Sequence, residues 1–258
     1  MKKIFSIKDK VIVLTGATGH LGSKMANHLT KAGAVVIILS TKLKKAKKLC
    51  KKLKISKKQA FQIDISDEKN IKTTIKTIYE QFNKIDILVN NANFSITKKF
   101  NTYTKDDWHK SFDGTVISVD LLTQAVVPYM KKNTQSRIIN ISSMYGIVSP
   151  NPDIYLDDSM INPLSYGVGK AAIIQYTKYL AMSLAKYNIT VNSVSFGPFP
   201  NTKIVKDKQF LKNLAKKTML NKIGDPKETT SVIYFLSLDE SSYITGQNFI
   251  VDGGWTTW

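Results

Sequence analysis

One cysteine, Cys50, stands in the whole chain, so neither an intrachain disulfide nor a thiolate metal cluster can form, and a reducing, cytoplasmic compartment is expected. No apolar run approaches the length that crosses a bilayer. The opening MKKIFSIKDK carries charge but no apolar core before Asp9 and Lys10, so neither a membrane span nor a secretory signal is expected. Arginine is nearly missing as well. The formal net charge is +19, yet Arg137 is the only arginine among 38 basic residues, and the other 37 are lysines spread over nearly every surface segment. Nucleic-acid sites favour arginine for its bidentate fork, so the charge reads as lysine used as the default solvated residue, with no nucleic-acid and no membrane partner expected. Its functional trace is an overall field that favours anionic substrates. Internal repeats and low-complexity linkers are missing too, and 258 residues with 43% hydrophobic content suit one domain, residues 1–258, around one core.

What is present is organised around VIVLTGATGHLG, residues 11–22. The apolar run from Val11 reads as a strand buried on both faces, which Thr15 and Gly16 break with a glycine turn. Beyond the turn Leu21, Met25, Leu29 and Ala32 recur at helical spacing until Gly33 ends the pattern. Glycines let the backbone approach a pyrophosphate, and the following helix offers it unpaired N–H groups, so the stretch reads as a dinucleotide site. A single glycine triplet also fits an ordinary βα turn. An ATP-type phosphate loop is excluded, because Gly22 is followed by Ser23 and Lys24 in the wrong order.

The chain then alternates. Residues 35–39 form a second apolar strand, and residues 40–54 a helix whose Leu43, Ala46, Leu49, Cys50 and Leu53 make one stripe among lysines. Such a stripe suits a membrane surface, but its place after a second strand is where a doubly wound fold needs a helical cover. Phe61 and Ile63 lead into Asp64 as a third strand, Asp67 caps a helix running to Phe82, and residues 85–89 form a fourth strand. One long helix over residues 108–130, a fifth strand at 137–141, a helix at 166–187, a sixth strand at 189–194, a helix at 225–238 and a seventh strand at 248–251 complete the series. Strict βα alternation predicts an α/β fold with a parallel seven-stranded sheet and helices on both faces.

These residues carry a resemblance over nearly the whole chain. TGATGHLG at 15–22, Asp64, NNAN at 90–93, RIINISS at 137–143, YGVGK at 166–170 and TGQNFIVDGG at 245–254 resemble the short-chain dehydrogenase/reductase family. The resemblance implies a Rossmann-type, doubly wound sheet and an NAD(P)-dependent oxidoreductase interconverting a secondary hydroxyl and a ketone. By the same resemblance Tyr166 is the acid/base, Lys170 one helical turn on assists it, and Ser143 binds the reacting oxygen. The chemistry accounts for these types: hydride cannot leave a carbinol carbon unless the hydroxyl proton leaves too, and tyrosine, with a reference pKa of about 10, is a poor base unaided. An ammonium at i+4 favours the tyrosinate, and it also suits the nicotinamide ribose.

Cofactor contacts are expected from Gly16, Thr18, Gly19, His20, Leu21 and Gly22 in the turn, from Ser40, Thr41 and Lys42 after the second strand, and from Asp64 and Ile65 after the third. Asn91, Ala92, Asn93, Gly197 and Phe199 join them, with Tyr166 and Lys170. An NAD-preferring site ends its second strand in a carboxylate; here two hydroxyls and an ammonium follow Leu39, so NADP(H) is expected over NAD(H). The sequence also departs from the family pattern. His20 stands at a glycine position, Asn93 replaces a glycine and is expected to take a left-handed backbone, and Phe196 replaces a proline. Thr115 stands where an asparagine usually holds a proton-relay water, which gives it a candidate catalytic role.

The segment between Ser143 and Tyr166 is roughly ten residues longer than the family habit. Surface insertions cost little closure entropy, so a neutral decoration is the plain alternative. Both ends are tied to catalytic residues, however, which puts residues 150–162 at the mouth of the site. Tyr155 and Met160 offer apolar surface, and Asp157, Asp158 and Asn162 offer acceptors for hydroxyl groups. With Ser143, Tyr155 and Tyr166 as substrate contacts, a sugar or nucleotide sugar of surface glycan biosynthesis is expected. Residues 202–220 are expected to form an opposing lid, with Lys203, Lys206, Lys208 and Lys212 placed to meet a substrate phosphate. The alternatives are a 3-oxoacyl-thioester reductase and, in another class, a cofactor-binding regulatory or partner protein with vestigial turnover. A homodimer or homotetramer is expected, paired through the two long helices, with Gly167, Gly169, Ala171 and Ala172 permitting close approach.

Overall fold

The computed structural model describes residues 4–156 and 161–258. Seven strands form one parallel sheet: β1 (Val11–Leu14), β2 (Val35–Ser40), β3 (Ala60–Gln62), β4 (Ile87–Asn90), β5 (Ser136–Ser143), β6 (Ile189–Phe196) and β7 (Asn248–Val251), in the order β3-β2-β1-β4-β5-β6-β7. Strands covered on both faces need apolar side chains pointing both ways. In β1 the alternation is explicit, since Ile12 and Leu14 join the core on one face while Val11 and Val13 join the core on the other. The first face is covered by α1 (Gly22–Lys31), α2 (Leu43–Leu53) and α8 (Thr229–Ser237), the second by α3 (Glu68–Phe82), α5 (Ser118–Met130) and α6 (Leu164–Leu184). Chain order reverses between β1 and β4, which opens a crevice beyond their carboxyl ends.

Local chemistry explains the helix boundaries. Asp67 accepts a hydrogen bond from Asn70 N–H (2.9 Å) and so starts α3, as expected, while left-handed Lys54 and Asn83 close α2 and α3. The lysine-rich α2 buries Ala46 and Cys50 completely and keeps its lysines outside, the covering role foreseen for it. The helix expected from Trp108 differs. It begins at α4 (Lys105–Phe112), where Thr104 and Asp107 form a reciprocal capping box, and a π turn at Asp113–Ile117 separates α4 from α5. The helix expected over 225–238 is helical only from Thr229, and residues 202–220 contain a helix of their own, α7 (Lys208–Lys216).

Arg137 is 1% exposed and donates to Gln135 (3.0 Å) and Asp239 (3.4 Å), which makes the one arginine an internal tie. Among the described residues, no helix is long and apolar enough to cross a membrane. Two glycines expected at a subunit contact face inward instead. A Cβ on Gly169 would meet Thr115 Cγ2 at 2.7 Å and one on Gly167 the Tyr145 carbonyl at 2.9 Å, so both glycines serve packing within the chain. On α6 the exposed apolar residues are Leu164, Val168, Ala171, Tyr179 and Met182, beside exposed Gln175, Lys178 and Ser183.

Candidate active site

The crevice is a cavity of about 890 Å³. Its floor is the glycine turn. Gly16 takes φ +62°, and a Cβ on Gly22 would stand 2.3 Å from the Gly16 carbonyl, so both positions exclude side chains. Asn91 clamps the turn from the β4 side: its amide donates to the Thr15 carbonyl (2.9 Å), while Thr15 Oγ1 accepts from the N–H groups of Asn91 and Ala92 (both 2.9 Å). The residues fit a dinucleotide. No side chain caps α1, no acid lies in its first turn, and the buried Nε2 of His20 has no partner among the described residues, so the donors at this end are left for an anion.

Most of the expected cofactor contacts line the cavity: Gly16, Thr18, Gly19, His20, Leu21, Gly22, Ser40, Thr41, Asp64, Ile65, Asn91, Ala92, Asn93, Gly197 and Phe199. Lys42 does not line it; its N–H donates to Ser40 Oγ at 3.4 Å, and Ser40 Oγ in turn lies 3.1 Å from Thr18 Oγ1. Asp64 is tied down by the Ser66 hydroxyl (2.6 Å) and N–H (2.9 Å), bonds that hold its carboxyl below the usual range. Asn93 corrects one expectation. It does not take a positive φ; the loop after β4 leaves without a left-handed residue, so a side chain fits there without strain. Lys110 and Asp113 also line the cavity, and no motif announced them, because their direction depends on the helix that runs into the π turn.

Ser143, Tyr166 and Lys170 meet at the far end of the same cavity. Ser143 ends β5, the longest reach of the sheet together with β6, and Tyr166 and Lys170 lie one turn apart at the start of α6. Lys170 is 4% exposed; its Nζ donates to the Ile141 carbonyl at 2.8 Å and stands 5.6 Å from the centre of the Tyr166 ring. Complete burial drops its pKa to about 8. Burial pushes the Tyr166 phenol up, against a side-chain hydrogen bond from Ser143 that pulls it down. Burial is the larger of the two effects, and Tyr166 keeps its proton near neutrality. Ser142 fastens the arrangement from below by donating to the Lys170 carbonyl (2.8 Å).

Thr115 stands apart. It does not line the cavity, and its hydroxyl is engaged with the carbonyls of Ser111 (2.7 Å) and Phe94 (3.1 Å) inside the π turn. Its methyl packs against Gly169, next to Lys170, so its contact with the site is steric. The insertion is built rather than loose. Pro152–Ile154 form a 3-10 turn, and Ile154, 1% exposed, packs with Met144, Leu214 and Trp255. Asn213 on α7 donates to the Ile154 carbonyl (3.2 Å), and Tyr155 lies against Phe210 with ring centres 5.6 Å apart. The segment at 202–220 thus docks on the insertion, but Lys203, Lys206, Lys208 and Lys212 are exposed and none lines the cavity. Asp157, Asp158 and Met160 lie outside the described residues; Asn162 Oδ1 is buried without a partner among the described residues.

Comparison with known proteins agrees with this geometry. The model of the family described as enoyl-(acyl carrier protein) reductase matches residues 16–256. The chain is 31% identical to an NAD-dependent glycerol dehydrogenase of Listeria innocua, covering 98% of this chain and 96% of that one. It is 32% identical to a 3-oxoacyl-[acyl-carrier-protein] reductase of Thermotoga maritima, over 96% of this chain and 98% of that one. Among solved structures, a gluconate 5-dehydrogenase from Burkholderia cenocepacia in complex with NADP and tartrate superposes with a TM-score of 0.87 at 26% identity, over 98% of both chains. Sequence, sheet order and site thus lead to one conclusion: the chain belongs to the short-chain dehydrogenase/reductase family and is an NAD(P)-dependent oxidoreductase.

Proposed function

We propose that the protein reduces a ketone on a small polyhydroxylated substrate of the sugar type, with NADPH as the preferred cofactor. The observation that carries the reading is the meeting of Ser143, Tyr166 and Lys170 in one cavity, with Tyr166 and Lys170 one turn apart on α6. The glycine turn, Tyr166 and Lys170 would hold a reduced nicotinamide dinucleotide, which would supply the hydride for the carbonyl carbon. Ser143 holds the carbonyl oxygen, and Tyr166 gives that oxygen its proton, so a C–H and an O–H bond form as the carbonyl π bond is lost. Lys170, anchored on the Ile141 carbonyl, keeps a positive charge close to the phenolate that this leaves.

Support for a sugar comes from the hydroxyl-bearing insertion and from two relatives whose names specify polyhydroxylated compounds, glycerol and gluconate. Lys110 and Lys170 are the ammonium groups lining the cavity among the described residues, which favours a sugar or sugar acid over a nucleotide sugar; a place in surface glycan biosynthesis stays within this reading. NADPH is favoured because β2 ends in Ser40, followed by Thr41, with no carboxylate at that strand end to repel a 2′-phosphate. The Thermotoga relative supports a second reading, reduction of 3-oxoacyl thioesters.

The test follows nicotinamide absorbance with NADPH and NADH over ketoses, keto-sugar acids, nucleotide sugars and acetoacetyl thioesters. Faster turnover of acetoacetyl thioesters than of any sugar would select the second reading. Tyr166→Phe should lower kcat by about a hundredfold or more and leave NADPH affinity unchanged, because its hydroxyl serves the substrate oxygen. Residual activity above about a tenth of the parent removes Tyr166 from the acid role.

A further inference from the structure

A second cavity, of about 680 Å³, lies against the insertion and takes no part in the steps above. Asp153 of the insertion, Lys216 and Lys217 at the end of α7, and Trp255 and Trp258 help to wall it, and none of its lining residues also lines the active-site cavity. Its volume suits a small organic molecule. The walls are tied to one another: Asn213 on α7 bonds the Ile154 carbonyl (3.2 Å), and the Trp258 indole N–H donates to the Lys217 carbonyl (3.1 Å).

Donors on this lining are left over. Trp255 is 7% exposed, yet its indole N–H has no acceptor among the described residues, and it is not one of the polar atoms shut away from solvent, so it remains reachable. Lys216 and Lys217 add two ammoniums that make no ion pair and no hydrogen bond among the described residues. Nor are they spent on the end of α7, where the Trp258 indole takes the Lys217 carbonyl and the Thr218 hydroxyl takes that of Ala215 (2.8 Å). Against them stands one carboxylate, Asp153. Two ammoniums and an indole N–H against one acid favour an anion, while Val148, Ile154 and the two indoles offer apolar surface for a flat ring. A bare phosphate would leave the indoles wet, and a neutral aromatic would leave the donors unpaired.

We propose that this cavity is a second binding site, apart from the catalytic one, for a small aromatic carboxylate. Lys216, Lys217 and the Trp255 N–H are placed to receive the carboxylate, and the apolar wall receives the ring. The site does not depend on which ketone is reduced. Ile154 and Trp255 belong both to this wall and to the small core that holds Met144, the neighbour of Ser143, so an occupant braces the insertion and raises the melting temperature of the folded chain.

The experiment titrates the full chain with benzoate, acetate and benzyl alcohol and follows intrinsic fluorescence, since Trp255 and Trp258 are two of its three tryptophans. Benzoate should give a saturable change that survives Trp108→Phe. Acetate lacks the ring and benzyl alcohol the charge, and each should bind about tenfold or more weakly. Neither lysine is buried, so Lys216→Gln/Lys217→Gln should keep the melting temperature and the NADPH titration of the parent while losing about tenfold or more in benzoate affinity. No saturable change, equal affinity for benzoate and either analogue, or equal affinity of parent and lysine variant overturns the proposal and leaves the reductase reading as it stands. A signal that grows with protein concentration alone would seat a second copy of the chain in the cavity, and overturns it too.

Discussion

Lys170 is a buried cation with one carbonyl, that of Ile141, to accept a hydrogen bond from it. Its pKa of about 8 against 10.5 for an open lysine makes it a stability liability whose sign is fixed. Below about pH 8 both the folded and the unfolded chain carry the proton, and the fold bears the full cost of the buried charge, roughly 3 kcal/mol. Between about 8 and 10.5 the folded chain releases the proton while the unfolded chain keeps it, so the cost falls as pH rises. The parent should therefore gain stability relative to Lys170→Met between pH 7 and pH 10, in urea titrations of the two proteins at both values. The unbonded Ile141 carbonyl in the variant shifts the comparison by a constant and leaves the slope untouched. A gap that does not change with pH would show that Lys170 is uncharged, or solvated, in the folded protein.

At the scale of elements, the insertion, α7 and the turn after Ser143 behave as one body, because Met144, Ile154, Leu214 and Trp255 share a small core of their own. Ile154→Ala removes its centre. The cost should fall near the lower end of the buried isoleucine range, about 2 kcal/mol, since so few residues surround it. Its kinetic mark should be a raised KM for the ketone with the KM for NADPH unchanged, measured in the same steady-state assay; equal changes in both would mean that the insertion supports the whole cavity. This body was only half visible in sequence. The inner strands, buried along their length, leave unmistakable apolar runs, whereas the edge strands β3 and β7 are only partly buried and β3 ends at Gln62, short of Ile63 and Asp64. The polar end of β5 through Asn140, Ser142 and Ser143 carries no apolar run either, so β5 extends beyond the range its apolar residues mark. The π turn at Asp113–Ile117 has no residue signature, so the direction of Lys110 and Asp113 is hidden in the sequence; the Thr104–Asp107 capping box is a legible signal for the start of α4 that the expected start at residue 108 passes over. The catalytic residues were legible because Tyr166 and Lys170 are neighbours on one helix and Ser143 ends a strand. The cavity walled by Lys216 and Trp255 was not, since the insertion, α7 and the last residues meet only in the fold.

The molecule as a whole is charged unevenly. No aspartate or glutamate occurs from Lys10 to Ile63, a stretch that supplies β1, α1, β2, α2 and β3, and ten lysines fall between residues 42 and 58. Among the described residues none of those ten lysines is ion-paired with a carboxylate. The end of the cavity lined by Ser40 and Thr41 therefore sits beside a cationic ridge, with Asp64 as the carboxylate of that end. Individual exposed lysines contribute little to stability, but their summed field acts on any anion that approaches. NADPH carries one phosphate more than NADH, and that phosphate belongs at this end. Raising salt from about 0.01 M to about 1 M shortens the screening length from about 30 Å to about 3 Å, which removes the ridge's reach without changing the pocket. The KM for NADPH should then rise severalfold more than the KM for NADH, while the KM for an uncharged ketose stays nearly constant. Lys44→Glu/Lys48→Glu, which leaves every residue lining the cavity in place, should weaken the salt dependence for NADPH. Equal salt dependence for the two cofactors would mean that Ser40 and Thr41 select the 2′-phosphate by contact alone, and that the lysines of α2 are solvent dressing.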